Sequence, residues 1–295
     1  MNKDTQSRIE FFFFKLFLNT FKILPFVLIV RIISNLFVLG GFVIGIRKNV
    51  ARRQLMMVFP GKSKQEIDKI LWRMYYDMGR VAAETYFGDS KKLFMRAEVK
   101  GWKNLEKAVN MGKGVIMITG HLGNWELAGR YIASKLKLSV VAKKQRNRYF
   151  DEYTNKIREA ENIVLIDKKN AFKPIMKLLK QNYIVTILID QNAGRDGIVT
   201  DFLGFEASTF IGAAKIAIKT GCPIVPAFAV RTEDGMNLFT VDEIIYPDKF
   251  QNDDRSIKEL TEIISKKLEE YILKYPSQWF WVHKRWKGRD KAKKI

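Results

Sequence analysis

The sequence predicts an α/β domain whose largely parallel central sheet is flanked by helices, with a hydrophobic membrane helix at the N-terminus. Three observations predict it: short apolar runs within residues 101–282, helix-like stretches between those runs, and an apolar segment over residues 11–46. Apolar strands that alternate with helices are typical of a parallel sheet covered on both faces. A chain of 295 residues is long enough for one catalytic domain with an appendage.

Five short apolar runs are predicted to form the strands of the sheet. They are Gly114–Thr119, Leu138–Ala142, Ile163–Ile166, Ile184–Ile189 and Pro223–Val230. Helices are predicted near residues 124–136, 148–160, 171–180 and 210–219, and a last amphipathic helix over residues 256–274. Upstream of the sheet, Ser63 and Glu66 form a capping box that opens a helix running to about Phe87.

The N-terminal segment indicates how the chain meets a membrane. From Ile23 to Ile46 it is apolar except for Arg31, Ser34 and Asn35. This length crosses a bilayer, since about 20 residues suffice, but an arginine near the centre costs roughly 2.5–3.5 kcal/mol. Two placements therefore stay open at this point, a single transmembrane span and a helix lying in the membrane interface.

Basic residues directly after the apolar segment indicate its orientation. Arg47, Lys48, Arg52 and Arg53 follow at once, and such an excess places the remaining chain on the cytoplasmic side. We expect four parts: a membrane anchor over residues 1–46, a basic linker and helical segment over 47–100, the α/β domain over 101–282 and a basic tail over 283–295.

The charge balance calls for an anionic partner. The chain has 52 Lys and Arg against 31 Asp and Glu, a formal charge of +21. Nucleic acid, anionic lipid and an acidic carrier protein all fit such a charge. The sequence has no zinc-finger spacing, aromatic RNA-binding signature or heptad repeat, so a nucleic-acid partner is not expected.

Cysteine and histidine are scarce, which narrows the chemistry. One Cys excludes a disulfide framework, and with two His it cannot build an ordinary zinc site. We therefore expect no metal and no cofactor. Any histidine chemistry must use His121 or His283. Cys222 precedes a proline between apolar residues, so we expect it to be packed in the core.

Two polar clusters directly follow predicted strands, at residues 119–126 and 190–194. In open α/β sheets ligands bind outside the carboxyl ends of the strands. His121 and Glu126 can pair only if His121 lies in a loop and Glu126 in the first turn of the next helix. Glycines on both sides of the loop would allow this, and Asn124 is a suitable N-cap. Glu126 would then orient His121 as a general base, although a structural histidine that caps a turn remains the alternative.

A family resemblance extends this interpretation. The segment GVIMITGHLGNWELAG, residues 114–129, is similar to the His-x4-Asp/Glu segment of the lipid A biosynthesis acyltransferases. These are lauroyl and myristoyl transferases within the lysophospholipid and glycerolipid acyltransferase superfamily. The likeness covers nearly the whole chain and includes Arg158, Asp190-Gln191, the sequence FLGF at 202–205 with Thr209 and Gly212, and YPSQW at 275–279.

The resemblance implies a glycerolipid acyltransferase-like fold and an O-acyltransferase of the bacterial inner membrane that works on its cytoplasmic side. It implies His121 as the general base, Glu126 as its partner and Arg158 as a required residue. We expect Asn124, Asp190 and Gln191 to contact substrate together with Arg158. The fatty acyl group would pass from an acyl carrier protein or coenzyme A to a hydroxyl of a lipid A precursor.

Other functions stay open at this point. The same chemistry on a lysophospholipid or another glycolipid is one, and a non-catalytic lipid-binding membrane protein is another. The tryptophans around His283 resemble an interfacial aromatic belt with cationic anchors, so we expect that segment at the membrane surface. Thr209 either contacts substrate or begins a helix, and we favour the second.

Overall fold

The computed structural model describes residues 2–288. The described residues form nine strands. These are β1 (Ala97–Lys100), β2 (Val115–Thr119), β3 (Leu138–Ala142), β4 (Ile163–Asp167), β5 (Ile184–Leu188), β6 (Ile198–Phe202), β7 (Phe205–Thr209), β8 (Ile224–Arg231) and β9 (Asn237–Val241).

Seven strands form the central sheet in the order β1-β9-β8-β2-β5-β3-β4. The neighbours from β8 to β4 are all parallel, whereas β9 runs antiparallel to β8 and carries β1 in parallel. Strands β6 and β7 form a separate antiparallel hairpin. The predicted α/β fold with a largely parallel sheet is therefore confirmed.

Helices cover both faces of this sheet. They are α1 (Lys3–Phe21), α2 (Phe26–Val38), α3 (Lys48–Val58), α4 (Lys64–Phe87), α5 (Ser90–Phe94), α6 (Trp102–Asn110), α7 (Trp125–Ala133), α8 (Arg148–Ala160), α9 (Phe172–Lys180), α10 (Gly212–Thr220) and α11 (Asp254–Lys274). Side chains alternate across each strand, so Met117 packs with α6 and α7 while Ile118 packs with α9, α10 and α11.

The five predicted strands and the helices between them agree with the structure to within a few residues, and the capping box of Ser63 and Glu66 is present. Strands β1 and β9 and the β6–β7 hairpin were not predicted, and they lie outside the run of parallel strands from β8 to β4. The prediction for Thr209 was wrong. It ends β7, and its buried hydroxyl bonds to Thr200 and Arg285 rather than beginning a helix.

The apolar N-terminal segment packs against the domain instead of standing apart from it. Helix α2 crosses α4 so closely that a Cβ on Gly79 would lie 2.5 Å from the Cα of Ser34. One stretch, residues 26–43, is long and apolar enough to cross a membrane, and 28% of it is buried inside the protein. The outward side of α1 and α2 is apolar and exposed, with Phe12, Phe13, Leu28 and Leu36 among its side chains.

The C-terminal segment after α11 is buried rather than interfacial. Trp279, Trp281 and Trp286 are at most 2% exposed, and the guanidinium of Arg285 is fully buried beneath them. The expected aromatic belt at the membrane surface is therefore wrong, because these rings pack into the main core. Of the predicted basic tail, residues 283–288 belong to this packed segment, and residues 289–295 lie outside the described part of the chain.

Candidate active site

The loop after β2 carries His121 to the carboxyl edge of the sheet. Gly123 allows the loop to turn, because its φ is +52° and a Cβ there would lie 2.3 Å from the carbonyl oxygen of Ala229. The loop is also fastened to the C-terminal segment. The N–H of Phe280 donates to the carbonyl of His121, and the N–H of Gly123 donates to the carbonyl of Gln278.

The carboxylate that orients His121 belongs to Asp190, in the second polar cluster. The Nδ1 atom of His121 lies 2.9 Å from Oδ1 of Asp190, and the backbone N–H of His121 donates to Oδ2 at 2.9 Å. Strands β2 and β5 are neighbours in the sheet, which brings the two loops together. This arrangement fixes both the ring plane and the backbone of His121 against one acidic group.

Trp279 gives Asp190 a third donor, since its indole N–H lies 2.8 Å from Oδ2. Burial of Asp190 opposes ionisation, but the neighbouring His121 and these hydrogen bonds lower its pKa to about 2. An ionised Asp190 only accepts hydrogen bonds, so Nδ1 of His121 carries the ring proton and Nε2 presents a lone pair. Burial lowers the pKa of His121, but the charge and hydrogen bond of Asp190, together with the charge of Glu126, raise it above the usual value.

Glu126 has a different partner from the predicted one. It lies in the first turn of α7, as expected, but its carboxylate forms a bidentate ion pair with the guanidinium of Arg158 on α8. Burial raises the pKa of Glu126, but Arg158 overrides this and lowers it, so the pair is ionised. Glu126 therefore acts on His121 through its charge, and Asp190 supplies the hydrogen bond that we expected of Glu126.

A large cavity opens at this edge of the sheet. Its volume is about 1300 Å³, and His121, Glu126, Arg158 and Gln191 line it. Beneath α7 the cavity continues along the sheet between apolar side chains. These include Met117, Ile132, Val140, Ala227 and Val241.

The remaining predicted site residues divide into two groups. Gln191 faces the cavity, and its amide nitrogen lies 3.4 Å from Nε2 of His121. Asn124 is 2% exposed, caps α7 as predicted and donates to the carboxylate of Glu84. Its side chain and that of Asp190 are both buried against protein groups, so we no longer expect either to contact substrate. Asp190 holds the ring of His121, and Asn124 caps the helix that carries Glu126, so both position other residues of the site.

The other histidine lies close by but is differently bound. Nε2 of His283 accepts the backbone N–H of Asn192 at 3.0 Å, which requires that nitrogen to be unprotonated. Burial is the main reason that the pKa of His283 is lowered. The side chain of Gln54 also donates to the carbonyls of Trp281 and His283, fastening the segment to α3.

Trp279, Phe280 and Gln54 are the participants that sequence reasoning missed. Trp279 was included in the resemblance through the YPSQW run, but nothing in its spacing from Asp190 indicates a contact across 89 positions. Cys222 is fully buried in the core, as predicted. Within residues 2–288 there is no group of three or more His, Cys, Asp or Glu side chains arranged to hold a metal ion.

Comparison with known proteins identifies the family of this chain. The family model described as bacterial lipid A biosynthesis acyltransferase matches residues 3–288. The chain belongs to this family. It is an O-acyltransferase of the lipid A biosynthesis and glycerolipid type, as its sequence motifs indicated.

Individual relatives are distant but cover most of the chain. The lipid A biosynthesis palmitoleoyltransferase of Escherichia coli K12 is 25% identical over 82% of this chain and 79% of its own length. The lipid A biosynthesis lauroyltransferase of the same organism is 24% identical over 83% of this chain and 81% of its own length. A phosphatidylinositol mannoside acyltransferase of Mycolicibacterium smegmatis is 22% identical over 67% of this chain and 65% of its own length. The 1-acyl-sn-glycerophosphate acyltransferase structure from Thermotoga maritima aligns with a TM-score of 0.42 and 15% identity, over 85% of this chain and 99% of that one.

Proposed function

We propose that this acyltransferase uses His121 as a general base to move a fatty acyl group from a thioester to a hydroxyl of a lipid A precursor. The observation that supports this most directly is the His121–Asp190 pair at the rim of the cavity. Its Nδ1–H is held by Asp190, and its Nε2 is left with a lone pair at the cavity. This is the base-and-orienter arrangement required for activating an alcohol.

The proposed reaction follows from the protonation state of His121, with Nδ1 protonated and Nε2 unprotonated. Nε2 takes the proton of the acceptor hydroxyl as the oxygen attacks the thioester carbonyl. The tetrahedral intermediate then expels the thiolate as the C–S bond breaks, and the imidazolium returns its proton to sulfur. Arg158, whose guanidinium is held at the cavity by Glu126, is the cation we assign to the developing oxyanion.

The apolar arm of the cavity suits the acyl chain. It runs beneath α7 from His121 toward Val241, and the lining side chains are aliphatic and aromatic. Burying a hydrocarbon chain there removes apolar surface from water at about 25 cal/mol per Å². The thioester carbonyl would then lie at the mouth, beside His121.

The exposed apolar side of α1 and α2 is the surface we assign to the membrane. We favour helices lying in the interface over a single span, because α2 packs on α4 and α4 carries charged side chains. Arg73 on α4 is 42% exposed, and a bilayer-crossing α2 would carry it toward hydrocarbon at high cost. The basic residues after α2 would meet anionic head groups on the cytoplasmic side of the inner membrane.

Another acceptor is the second candidate, since one group of relatives carries the name phosphatidylinositol mannoside acyltransferase. Mass spectrometry of membrane lipids after deletion of the gene separates the two. Loss of one acyl chain from lipid A supports a lipid A precursor. Unchanged lipid A with an altered phospholipid or other glycolipid supports the second candidate.

The base is tested with purified protein. We expect His121→Ala to lower acyl transfer by about 10²-fold or more, because general-base catalysis supplies at least that factor. Circular dichroism and binding to lipid vesicles are the controls and should match the wild-type protein. Near-full activity of a folded His121→Ala protein would end this mechanism. Absence of acyl transfer by the wild-type protein would instead favour a lipid-binding role.

A further inference from the structure

The cavity has a second, basic arm on the opposite face of the sheet from its apolar arm. The apolar arm lies on the face of α6 and α7. Across the carboxyl edge, the cavity continues between α9 and α10, which pack on the other face. Five lysines line it there: Lys168, Lys169, Lys173, Lys215 and Lys219. We call this set the lysine mouth.

The lysine mouth is crowded with positive charge. All five lysines are exposed, and none of them belongs to an ion pair among residues 2–288, although the carboxylate of Asp196 also lines the cavity. Burial, and then repulsion from neighbouring Lys143, lower the pKa of Lys168, and the attraction of Asp196 only partly opposes them. Bringing like charges together costs free energy in the unliganded protein. An anionic partner would relieve that repulsion.

Aromatic rings hold two of these ammonium groups at the rim. Nζ of Lys168 lies 3.5 Å from the centre of the Phe210 ring, and Nζ of Lys219 lies 5.2 Å from that of Phe172. Both rings also line the cavity. Cation–π contacts of this kind restrain a side chain without removing its charge. The lysine mouth therefore presents oriented cations beside an opening that leads to His121.

The membrane-facing helices lie elsewhere. Helix α1 packs on α8 through Phe11 and Phe14, which contact Phe150 and Tyr153. The right-handed crossover from β3 to β4 puts α8 on the face of α7, away from α9 and α10. A smaller cavity of about 240 Å³ between α2, α4, α7 and α8 reaches Glu126 and Arg158 from that side. Its lining is largely apolar.

The site thus has two approaches of different chemistry. The approach beside α2 and α4 is apolar and adjoins the surface assigned to the membrane, which suits a lipid acceptor. The approach through the lysine mouth is cationic and faces away from that surface, which suits a soluble anion. Electrostatic complementarity of this kind sets the encounter rate and orientation of a charged partner.

We propose that the lysine mouth is the docking surface for an acidic acyl carrier protein that delivers the thioester to His121. This rests on the proposed acyl transfer. The carrier's acidic surface would pair with Lys173, Lys215 and Lys219, and the thioester arm would pass Lys168 into the cavity. The acceptor enters from the membrane side, so donor and acceptor reach Nε2 of His121 by separate routes and can be bound at the same time.

The test measures docking separately from turnover. The double variant Lys173→Glu/Lys219→Glu reverses two charges of the lysine mouth. The matched control Lys107→Glu/Lys180→Glu makes the same change in net charge at exposed positions on α6 and at the far end of α9. Each pair is made in the His121→Ala background, and acyl carrier protein is titrated against the full-length protein by fluorescence anisotropy at low and high salt.

We expect the lysine-mouth variant to weaken carrier binding by roughly tenfold or more, because rim charges govern steered association. The control pair should change it by less than about twofold, and salt should weaken wild-type binding by screening. Equal effects of both pairs, or none, would overturn the proposal. If carrier binding follows the expected pattern but the wild-type protein transfers no acyl group, the proposed function is wrong and the docking surface is still supported.

The phosphates of the acceptor lipid are the other anion that the lysine mouth could bind. Kinetic measurements on protein that retains His121 distinguish them from the carrier protein. With a phosphate-free pantetheine thioester as donor, the lysine-mouth variant should keep its kcat/KM within about twofold of wild type, because that donor carries no charge to pair with lysine. A loss that instead appears with both donors and disappears when the acceptor lipid is dephosphorylated would assign the lysine mouth to acceptor phosphates. That outcome would overturn the proposal.

Discussion

The two histidines of this chain are neighbours whose pKa values are shifted in opposite directions. The Nδ1 atom of His121 is held by a hydrogen bond at 2.9 Å and Nε2 of His283 by one at 3.0 Å, while the side-chain amide of Gln191 lies 3.4 Å from Nε2 of His121. The partner of His121 is the carboxylate of Asp190, whose charge raises the pKa of the imidazole. The partner of His283 is the backbone N–H of Asn192, and burial lowers its pKa.

This difference teaches that burial alone does not select a base. A carboxylate on one nitrogen of His121 fixes the tautomer, and the other nitrogen faces the cavity, where it can take a proton and where its neighbour is the side-chain amide of Gln191 at 3.4 Å. A backbone donor occupies the lone pair that a base needs. The roles of the two histidines therefore follow from which group faces each nitrogen, and four substitutions test this.

Asp190→Asn should have the largest effect. An amide in place of the carboxylate removes the charge that supports the imidazolium and no longer selects the Nδ1–H tautomer. We expect kcat/KM to fall by about 10²–10⁴-fold. The pKa of His121 should fall with it, so the acidic limb of the residual pH profile moves to lower pH. An unshifted limb would contradict the assignment of Asp190 as the partner of His121.

Glu126→Gln tests the other carboxylate. Its loss leaves Arg158 without its ion pair at the cavity, and we expect kcat/KM to fall by roughly 10-fold to 100-fold. The charge of Glu126 raises the pKa of His121 and that of Arg158 lowers it. The acidic limb should therefore also move to lower pH. A loss larger than that of Asp190→Asn would restore Glu126 as the principal partner.

Trp279→Phe should shift the acidic limb of the pH profile in the opposite direction from Asp190→Asn and Glu126→Gln. Without the indole N–H, the charge of Asp190 is less dispersed and supports the imidazolium more strongly. The acidic limb should move to higher pH, while kcat/KM falls by roughly threefold to tenfold. Trp281→Phe is the matched control, since that buried indole donates to the carbonyl of Pro276 instead. Both variants should lose thermal stability, and only Trp279→Phe should shift the profile.

His283→Gln should have the smallest effect. The amide oxygen of glutamine can accept the N–H of Asn192 in place of Nε2, so the loop keeps its hydrogen bond. We expect kcat/KM to change by less than about threefold, with the pH profile unmoved. A loss as large as that of His121→Ala in a folded protein would mean that His283 takes part in proton transfer.

Much of the frame of the site was predictable from local patterns. Apolar runs located five strands of the sheet, and the loop residues at their carboxyl ends located both polar clusters. The family motif pointed to His121, Glu126 and Arg158, which all line one cavity. The pairing among them was not predictable. Five positions separate His121 from Glu126, whereas 69 separate it from Asp190, and sequence proximity favoured the wrong carboxylate.

The sequence by itself determined the α/β class, the apolar N-terminal surface and the histidine available for catalysis, because each depends on side-chain type and short-range spacing. Only the tertiary structure decided which carboxylate accepts the hydrogen bond of the ring N–H, that the C-terminal tryptophans are buried, and that cations and apolar side chains line opposite arms of one cavity. Those outcomes depend on which strands are neighbours in the sheet. Strand order is fixed by packing of the whole domain, so distant residues meet where no local pattern indicates it.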